Sequence, residues 1–303
     1  MATMTRAQFA KSLQDGLNAH FGMEYDQHPE ECTMFLDLET SQKAFEEDVL
    51  MVGLGYAETK SEGAAYAEDS GSEGWTKRYT HRTIALSFVL TEEAIEDNRY
   101  MDLGKKYARG LARSMRQTKE VHAANVLNRA TTAGYTGGDG VVLLSASHPT
   151  QSGNQSNILA AADLSETTLE SILIQVRQAK DDRGIPVMLK PMKLIAAPAN
   201  EYNAGRILGS KLRSGTADND INVIRAKGIF GMDPTVITNL TDDDAWFVKT
   251  DCPDGMKIFQ RTKMVIPKAT VDPDTGNIKY IARERYSEGW TDWRGVYGSM
   301  GAP

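Results

Sequence analysis

The stretch Glu68-Asp69-Ser70-Gly71-Ser72-Glu73-Gly74 lies between two polar, extended runs, and the chain then passes through Thr80–Leu90 into Thr91-Glu92-Glu93. Turn-forming residues at the centre predict a ribbon of two arms over residues 56–90. Thr91 offers a hydroxyl N-cap, and Glu92 and Glu93 suit the positive end of a helix dipole. No breaker stronger than Gly104 or Gly110 intervenes before Gly134. About 40 helical residues would run roughly 60 Å, and two arms of about 15 residues would reach roughly 50 Å. Neither piece can bury itself in one compact subunit. The pairing predicts a protein that clasps its neighbours rather than a monomeric enzyme.

The 303 residues are enough for two domains or one elongated one, and 41% hydrophobic residues can fill a core. No run approaches the roughly 20 apolar residues of a membrane span. The N-terminal Met1–Ala10 lacks the pattern of a signal peptide. Cys32 and Cys252 are far apart and form no CxxC, which predicts free thiols in a reducing compartment. A net charge of −7 argues against a generic nucleic-acid binder.

The charge is unevenly distributed. Residues 24–48 hold nine carboxylates against Lys43 alone, whereas residues 99–129 hold eight basic side chains against Asp102 and Glu120. Lys105, Arg109, Arg113 and Arg116 recur at helical spacing and so share one stripe. The stripe is either a solvated face or a strip that meets the acidic arm, in the same or a neighbouring subunit, or a packaged polyanion.

Elsewhere the pattern predicts helices over residues 5–20 and 40–50 and a buried strand at Val141–Ser145. A helix opened by a Thr167–Glu170 capping box and a strand at Met192–Ala197 follow, then a helix starting at Pro198. Residues 213–222 read as a polar loop. Strand-like runs come at 223–226, 235–238, 245–249 and 257–261, and Asp272–Gly276 marks a hairpin.

Catalytic signatures are missing. The histidines at 20, 28, 81, 122 and 148 show no HExxH spacing, and there is no GxxxxGK[ST] or GxSxG. His28 and Cys32, Asp242–Asp244 and Gly137–Gly140 are each better read as loop or turn than as metal or phosphate sites. No catalytic residue, cofactor or metal site is expected, and His148-Pro149 is read as a loop cap.

Tyr25–Glu31, Thr80–Asp97, Ser147–Pro149, Leu164–Glu170, Asp181–Pro186 and Arg283–Gly289 together resemble the major capsid proteins of tailed bacteriophages. The likeness is to the Mu-type major head subunit group, within the Hong Kong 97-like capsid fold, and covers most of the chain. It implies an α+β fold with an N-terminal arm (1–52), an extended two-stranded loop (53–90) and a peripheral domain with the spine helix (91–164). An axial domain (165–258) and the closing strands of the peripheral domain (259–303) complete it.

The function so implied is a non-enzymatic shell protein that self-assembles as hexamers and pentamers around double-stranded DNA, held by nonspecific contact. Its place is the virion, after assembly in the host cytoplasm, with no membrane involved. Family-like sequence begins within about 25 residues of Met1, which favours a separate scaffolding protein over a long cleaved extension; a portal and a decoration protein are further expected partners. The type member crosslinks a loop lysine to an asparagine of a neighbour. Lys60 and Lys77 lie in the ribbon here, but no partner group is identifiable, so crosslinking is not expected. Inter-subunit candidates are Lys60, Glu62, Glu68, Asp69, Glu73, Lys77 and Arg78 of the ribbon, and Glu46 and Glu47 of the acidic run. Arg109, Arg113 and Arg116 of the helix and Asp218 and Asp220 of the polar loop complete the set. The alternatives are an encapsulin-like compartment shell and an oligomeric α+β enzyme.

Overall fold

A computed structural model describes residues 30–91, 93, 100–213, 220–265, 270–273 and 275–301. In chain order the elements begin with α1 (Cys32–Phe35), β1 (Asp37–Thr40), β2 (Phe45–Val52), β3 (Ser72–Thr80) and β4 (Arg82–Leu90). The long helix α2 (Tyr100–Asn128), a small hairpin β5 (His148–Thr150) and β6 (Gly153–Gln155), and α3 (Glu166–Arg177) follow. Next come β7 (Pro191–Ala196), α4 (Glu201–Gly209), α5 (Val223–Ala226), β8 (Thr235–Val236) and β9 (Trp246–Thr250). The chain closes with β10 (Met256–Val265), β11 (Thr270–Val271), β12 (Ile278–Trp290) and β13 (Val296–Ser299).

Two sheets and the long helix form the body. In the first sheet β12 is central: β4 pairs along one edge, and β10, with β11, along the other, while β1 adds in parallel to β10. Ile278, Tyr280, Ala282, Glu284 and Tyr286 of β12 alternate toward the buried face, the period-2 signature of a half-buried strand. That face packs on α2. Ala108 clusters with Ile278 and Tyr280, Leu111, Ala112 and Met115 with Ala282, and His122 meets Tyr286. One helical turn advances about 5.4 Å and two strand residues about 6.8 Å, so helix and strand run side by side over several contacts.

The second sheet has the order β13-β9-β7-β8. Leu194, Ala196, Trp246, Val248 and Tyr297 face α3, α4 and α5. Ile195, Phe247 and Val296 face the other way, into a cluster with Ala123, Ala124 and Leu127 at the end of α2. A sheet covered on both faces explains why its strands read as nearly continuous apolar runs.

Several expectations need correction. The predicted helix over 40–50 is strand β2. Its run of three acids is accommodated in a strand by partners far along the chain: Glu47 faces Arg78 across the β3 register, and Asp48 is taken up by the buried Lys257. The ribbon is therefore β2 with β3, not two arms within 56–90, and β4 pairs with β12 instead. Residues 141–145 form no regular strand; Leu143 and Leu144 are buried from a loop that contributes one bridge, Thr136 to Val142.

The capping box opening α3 is Ser165 with Thr168, whose side chains satisfy each other's backbone N–H groups. The run at 223–226 is helical because the Asn222 side chain accepts from the Arg225 N–H at 3.2 Å. The predicted hairpin at 272–276 is present: Gly276, at φ +69°, donates to the Asp272 carbonyl at 2.8 Å. The helix expected at 5–20 and its His20, together with His28, lie outside the described residues, as do most of residues 92–99. Over the described part α2 has 29 residues and ends at Asn128, short of the Gly134 break; its expected first turns after Thr91 fall mostly outside the described residues.

Gly298 fixes how closely β13 approaches β9. A methyl group there would lie 2.6 Å from the Trp246 carbonyl oxygen and 2.8 Å from the Phe247 ring. Gly298→Ala is expected to destabilise the subunit by about 2 kcal/mol or more. Gly110→Ala on α2, where a methyl meets nothing within 4 Å, should stabilise it by about 0.5–1 kcal/mol. Urea unfolding of the two variants checks both signs.

Candidate assembly surface

The ribbon is firmly rooted at its base. Lys257 of β10, almost fully buried, is held by Asp254 at 2.6 Å, Asp48 of β2 at 2.9 Å and Glu39 at 3.1 Å. Burial opposes its charge, but hydrogen bonds to Asp254, Asp48 and Glu39 outweigh that and raise its pKa. Asp48 also accepts from Thr291 Oγ1 at 3.0 Å, Thr291 shares a hydrogen bond with the Tyr79 hydroxyl at 2.6 Å, and Trp75 Nε1 donates to the Thr291 carbonyl at 3.1 Å. Both strands of the ribbon are thus locked to the turn after β12.

Beyond this base the chain leaves the body. Residues 53–71 are exposed except for the partly covered Gly55. They carry Leu54, Tyr56 and Tyr66, the two tyrosines 74% and 81% exposed. Among the described residues, Arg183 ties the segment to the body: its Nη1 meets Asp69 at 2.5 Å, and its Nη2 donates to the Ser70 carbonyl. N–H donation from Gly55 and Ser70, then Arg183, keeps the Asp69 carboxyl below its ordinary range.

The predicted residues fall into different environments. Glu62, Glu68 and Glu73 are exposed, and Lys60 stands 4.5 Å over the Tyr66 ring. Glu46 is tied locally to Ser41 and Lys43, and Glu47 reaches Arg78, which also covers the Phe45 ring. Lys77 is drawn inward, donating to the Thr136 carbonyl at 2.5 Å beside Trp290, and burial lowers its pKa. It is not a free ribbon lysine. Asp220 is exposed, and Asp218 lies outside the described residues.

The basic stripe divides. Arg109 and Arg113 are exposed, but Arg116 is buried and pairs with Glu30, which also faces Lys119 at 3.6 Å. Lys119 in turn contacts the fully buried Glu284 of β12 at 3.5 Å, and Glu120 accepts from the Cys32 N–H at 2.7 Å. Burial alone would raise the Glu30 pKa; Arg116 and Lys119 together hold it below the usual value. For Glu284 and Glu120 burial prevails and raises it. The acidic run therefore docks on the helix of its own subunit at Glu30, and only the outer part of the stripe faces solvent.

Two buried polar clusters have no sequence signal. Arg294 bridges Asp182 at 2.7 Å and Asp292 at 3.2 Å. His148 is not a loop cap: it is fully buried, bonded to Asp139 at 2.7 Å and Asn157 at 3.1 Å, and stacked on Trp293. Their partners lie up to 145 positions away, where local pattern says nothing. The Cys32 thiol is pushed up to about 12 by burial and by Glu120, and Cys252 is pushed up by burial and Asp292. Among the described residues no three His, Cys, Asp or Glu side chains are arranged to hold a metal ion, and no helix is long and apolar enough to cross a membrane.

A rooted ribbon, a long helix laid along a central strand and a second sheet packed under helices define the Hong Kong 97-like capsid fold. The family model described as phage capsid protein matches residues 73–299, well over half of the chain, and the chain belongs to that family. It is a phage capsid protein, a structural component of the virion.

Among solved structures, the capsid of the native GTA particle aligns with a TM-score of 0.55 at 10% identity, covering 91% of each chain. The Mycobacterium phage Adephagia structure aligns at 0.52 and 11% identity over 90% of each. A phage-related protein from Bordetella bronchiseptica RB50 aligns at 0.52 and 11%, covering 92% of this chain and 95% of its own. No curated protein matches.

Two outcomes follow from the Glu30 latch. Because its folded pKa is depressed, its contribution to stability is present above the ordinary carboxylate range and disappears as pH falls through the folded value. Glu30→Gln should therefore lower the urea midpoint at pH 7, with the difference from wild type closing under acid. Arg116→Glu should destabilise the isolated subunit by about 3–5 kcal/mol, whereas Arg113→Glu on the exposed face should change it by less than about 0.5 kcal/mol. Thermal melts of the two variants separate these roles.

Proposed function

We propose that this chain is the repeating subunit of an icosahedral head, assembling as hexamers and pentamers around double-stranded DNA. The observation that carries the proposal is the ribbon: a base fixed by buried hydrogen bonds and a tip that exposes Leu54, Tyr56 and Tyr66 with almost no contact to its own body. A neighbouring subunit supplies the surface that such a tip lacks. Each contact can be weak, since a closed shell engages every copy with several neighbours at once.

The role is mechanical and uses no catalysis. An axial unit at 165–258, with peripheral parts at 91–164 and 259–303, accords with the packing of α3, α4 and α5 on the second sheet, although Trp293 and Tyr297 enter that core from the closing segment. Arg109 and Arg113 provide cationic surface for a neighbour or for DNA. Assembly takes place in the host cytoplasm with a separate scaffolding protein, and a portal and a decoration protein complete the head.

Trp75 packs into the body, so the part that can be removed without unfolding is residues 57–68. Replacing Ala57–Glu68 with a short Gly-Ser turn should leave the melting temperature nearly unchanged and abolish closed particles in electron micrographs. Particles of normal size from this variant would contradict the clasp.

A further inference from the structure

A groove of about 920 Å³ opens between the end of α3, the start of β7 and α5. Its apolar lining includes the side chains of Ile174 and Met192, 57% and 53% exposed, and of Val223. Arg177, Lys190 and Lys227 line it with the carboxylate Glu170, and Asp251 accepts from the Lys190 N–H at 2.6 Å beside them. Arg177 and Lys227 are exposed, as is the Lys190 residue, so the rim is a cationic collar around an apolar floor. On a chain of net charge −7 this is local and contrary to the whole. Its match is an apolar surface bordered by carboxylates.

The chain carries such a surface at α4, lined by residues different from those of the groove. α4 packs on β7, and its outer flank with Asp233 and Pro234 borders an open hollow. Tyr202, 76% exposed, projects from the first turn of α4, and Met232 is 68% exposed just before β8. Glu201 and Asp233 flank them, and Asp243 and Asp244 lie close by, where Asn200 Nδ2 donates to the Asp243 carbonyl at 2.9 Å. Arg206 is the one cation lining the hollow. Acidic groups around exposed aromatic and thioether side chains answer basic groups around exposed aliphatic ones.

We propose that the cationic groove beside α3 receives the Tyr202 face of α4 from a second copy of this chain, and that this contact joins subunits head to tail within a capsomer. The two surfaces are different patches of one molecule, so the contact is heterologous. Repetition of such a contact closes a ring where the rotation allows it. Opposite charge at the rims fixes the register and speeds encounter, while the apolar contact between them supplies affinity. The proposal rests on the shell reading for its ring geometry but makes its own prediction about residues.

Charge reversal with rescue tests it on the full chain, by sedimentation velocity and electron microscopy. Arg177→Glu with Lys190→Glu and Lys227→Glu should leave the circular dichroism spectrum and melting temperature intact. It should raise the concentration needed for half-assembly by about tenfold or more. Adding Glu201→Lys, Asp233→Lys and Asp243→Lys to the same chain should restore assembly toward wild type. Assembly unaffected by the groove reversal, while wild type forms shells, would overturn the inference and leave the proposed function standing. Loss of assembly without rescue by the α4 reversals would overturn it too, because the groove would then serve a different acidic partner. Wild type that forms no oligomer under any condition would remove the shell reading and this contact together.

Discussion

The buried Lys257 ammonium, gripped by Asp254, Asp48 and Glu39, is the interaction on which the arrangement of the subunit depends. It ties the first strand of the ribbon, the parallel edge strand β1 and the loop before β10 to one point. Thr291, hydrogen-bonded to Asp48 and Tyr79, brings in the turn after β12 and with it the C-terminal strands. Several carboxylates around one cation would repel each other without it, so its geometry is strongly specified. A ribbon fixed in this way leaves the body in one direction. That separates a firm lever from a loose handle, and a clasp needs both.

The same economy of long-range contacts recurs through the body. β12 holds β4 on one edge and β10 on the other while α2 runs along its buried face, so one strand sets the position of three elements. The seam is apolar until Lys119 meets Glu284. There a charged pair replaces methyl groups and connects the helix to Glu30 of the acidic segment. Arg294 performs a similar service for the second sheet by binding Asp182 from the loop after α3. These buried charges cost desolvation, and what they return is specificity of docking.

Much of this was legible in the sequence. The apolar periodicity of Leu169, Ile172, Leu173 and Val176, the Asp272–Gly276 turn and the uninterrupted run behind Tyr100–Asn128 are local signals, and each yields its element. The order of arm, ribbon, helix and closing strands carries the family resemblance. The failures share one cause. Glu46-Glu47-Asp48 looks helical by propensity, and only the distant partners Arg78 and Lys257 show it to be a strand. Arg116 belongs to a surface stripe by spacing, and only Glu30 shows that it is buried. His148 looks like a loop residue until Asp139, Asn157 and Trp293 surround it. Groups whose state is decided by partners far along the chain cannot be read from their neighbours in sequence. Charged candidates such as Lys77 suffer most, because their exposure defines their role.

Hydrogen–deuterium exchange of the subunit before and after assembly tests the central claim most directly. A handle that becomes ordered against a neighbour should gain strong backbone protection across residues 53–71 in closed particles. β10 and β12, already paired within the subunit, should change little. Fast exchange through residues 53–71 in intact closed particles would contradict the account, since the ribbon tip would then hold nothing.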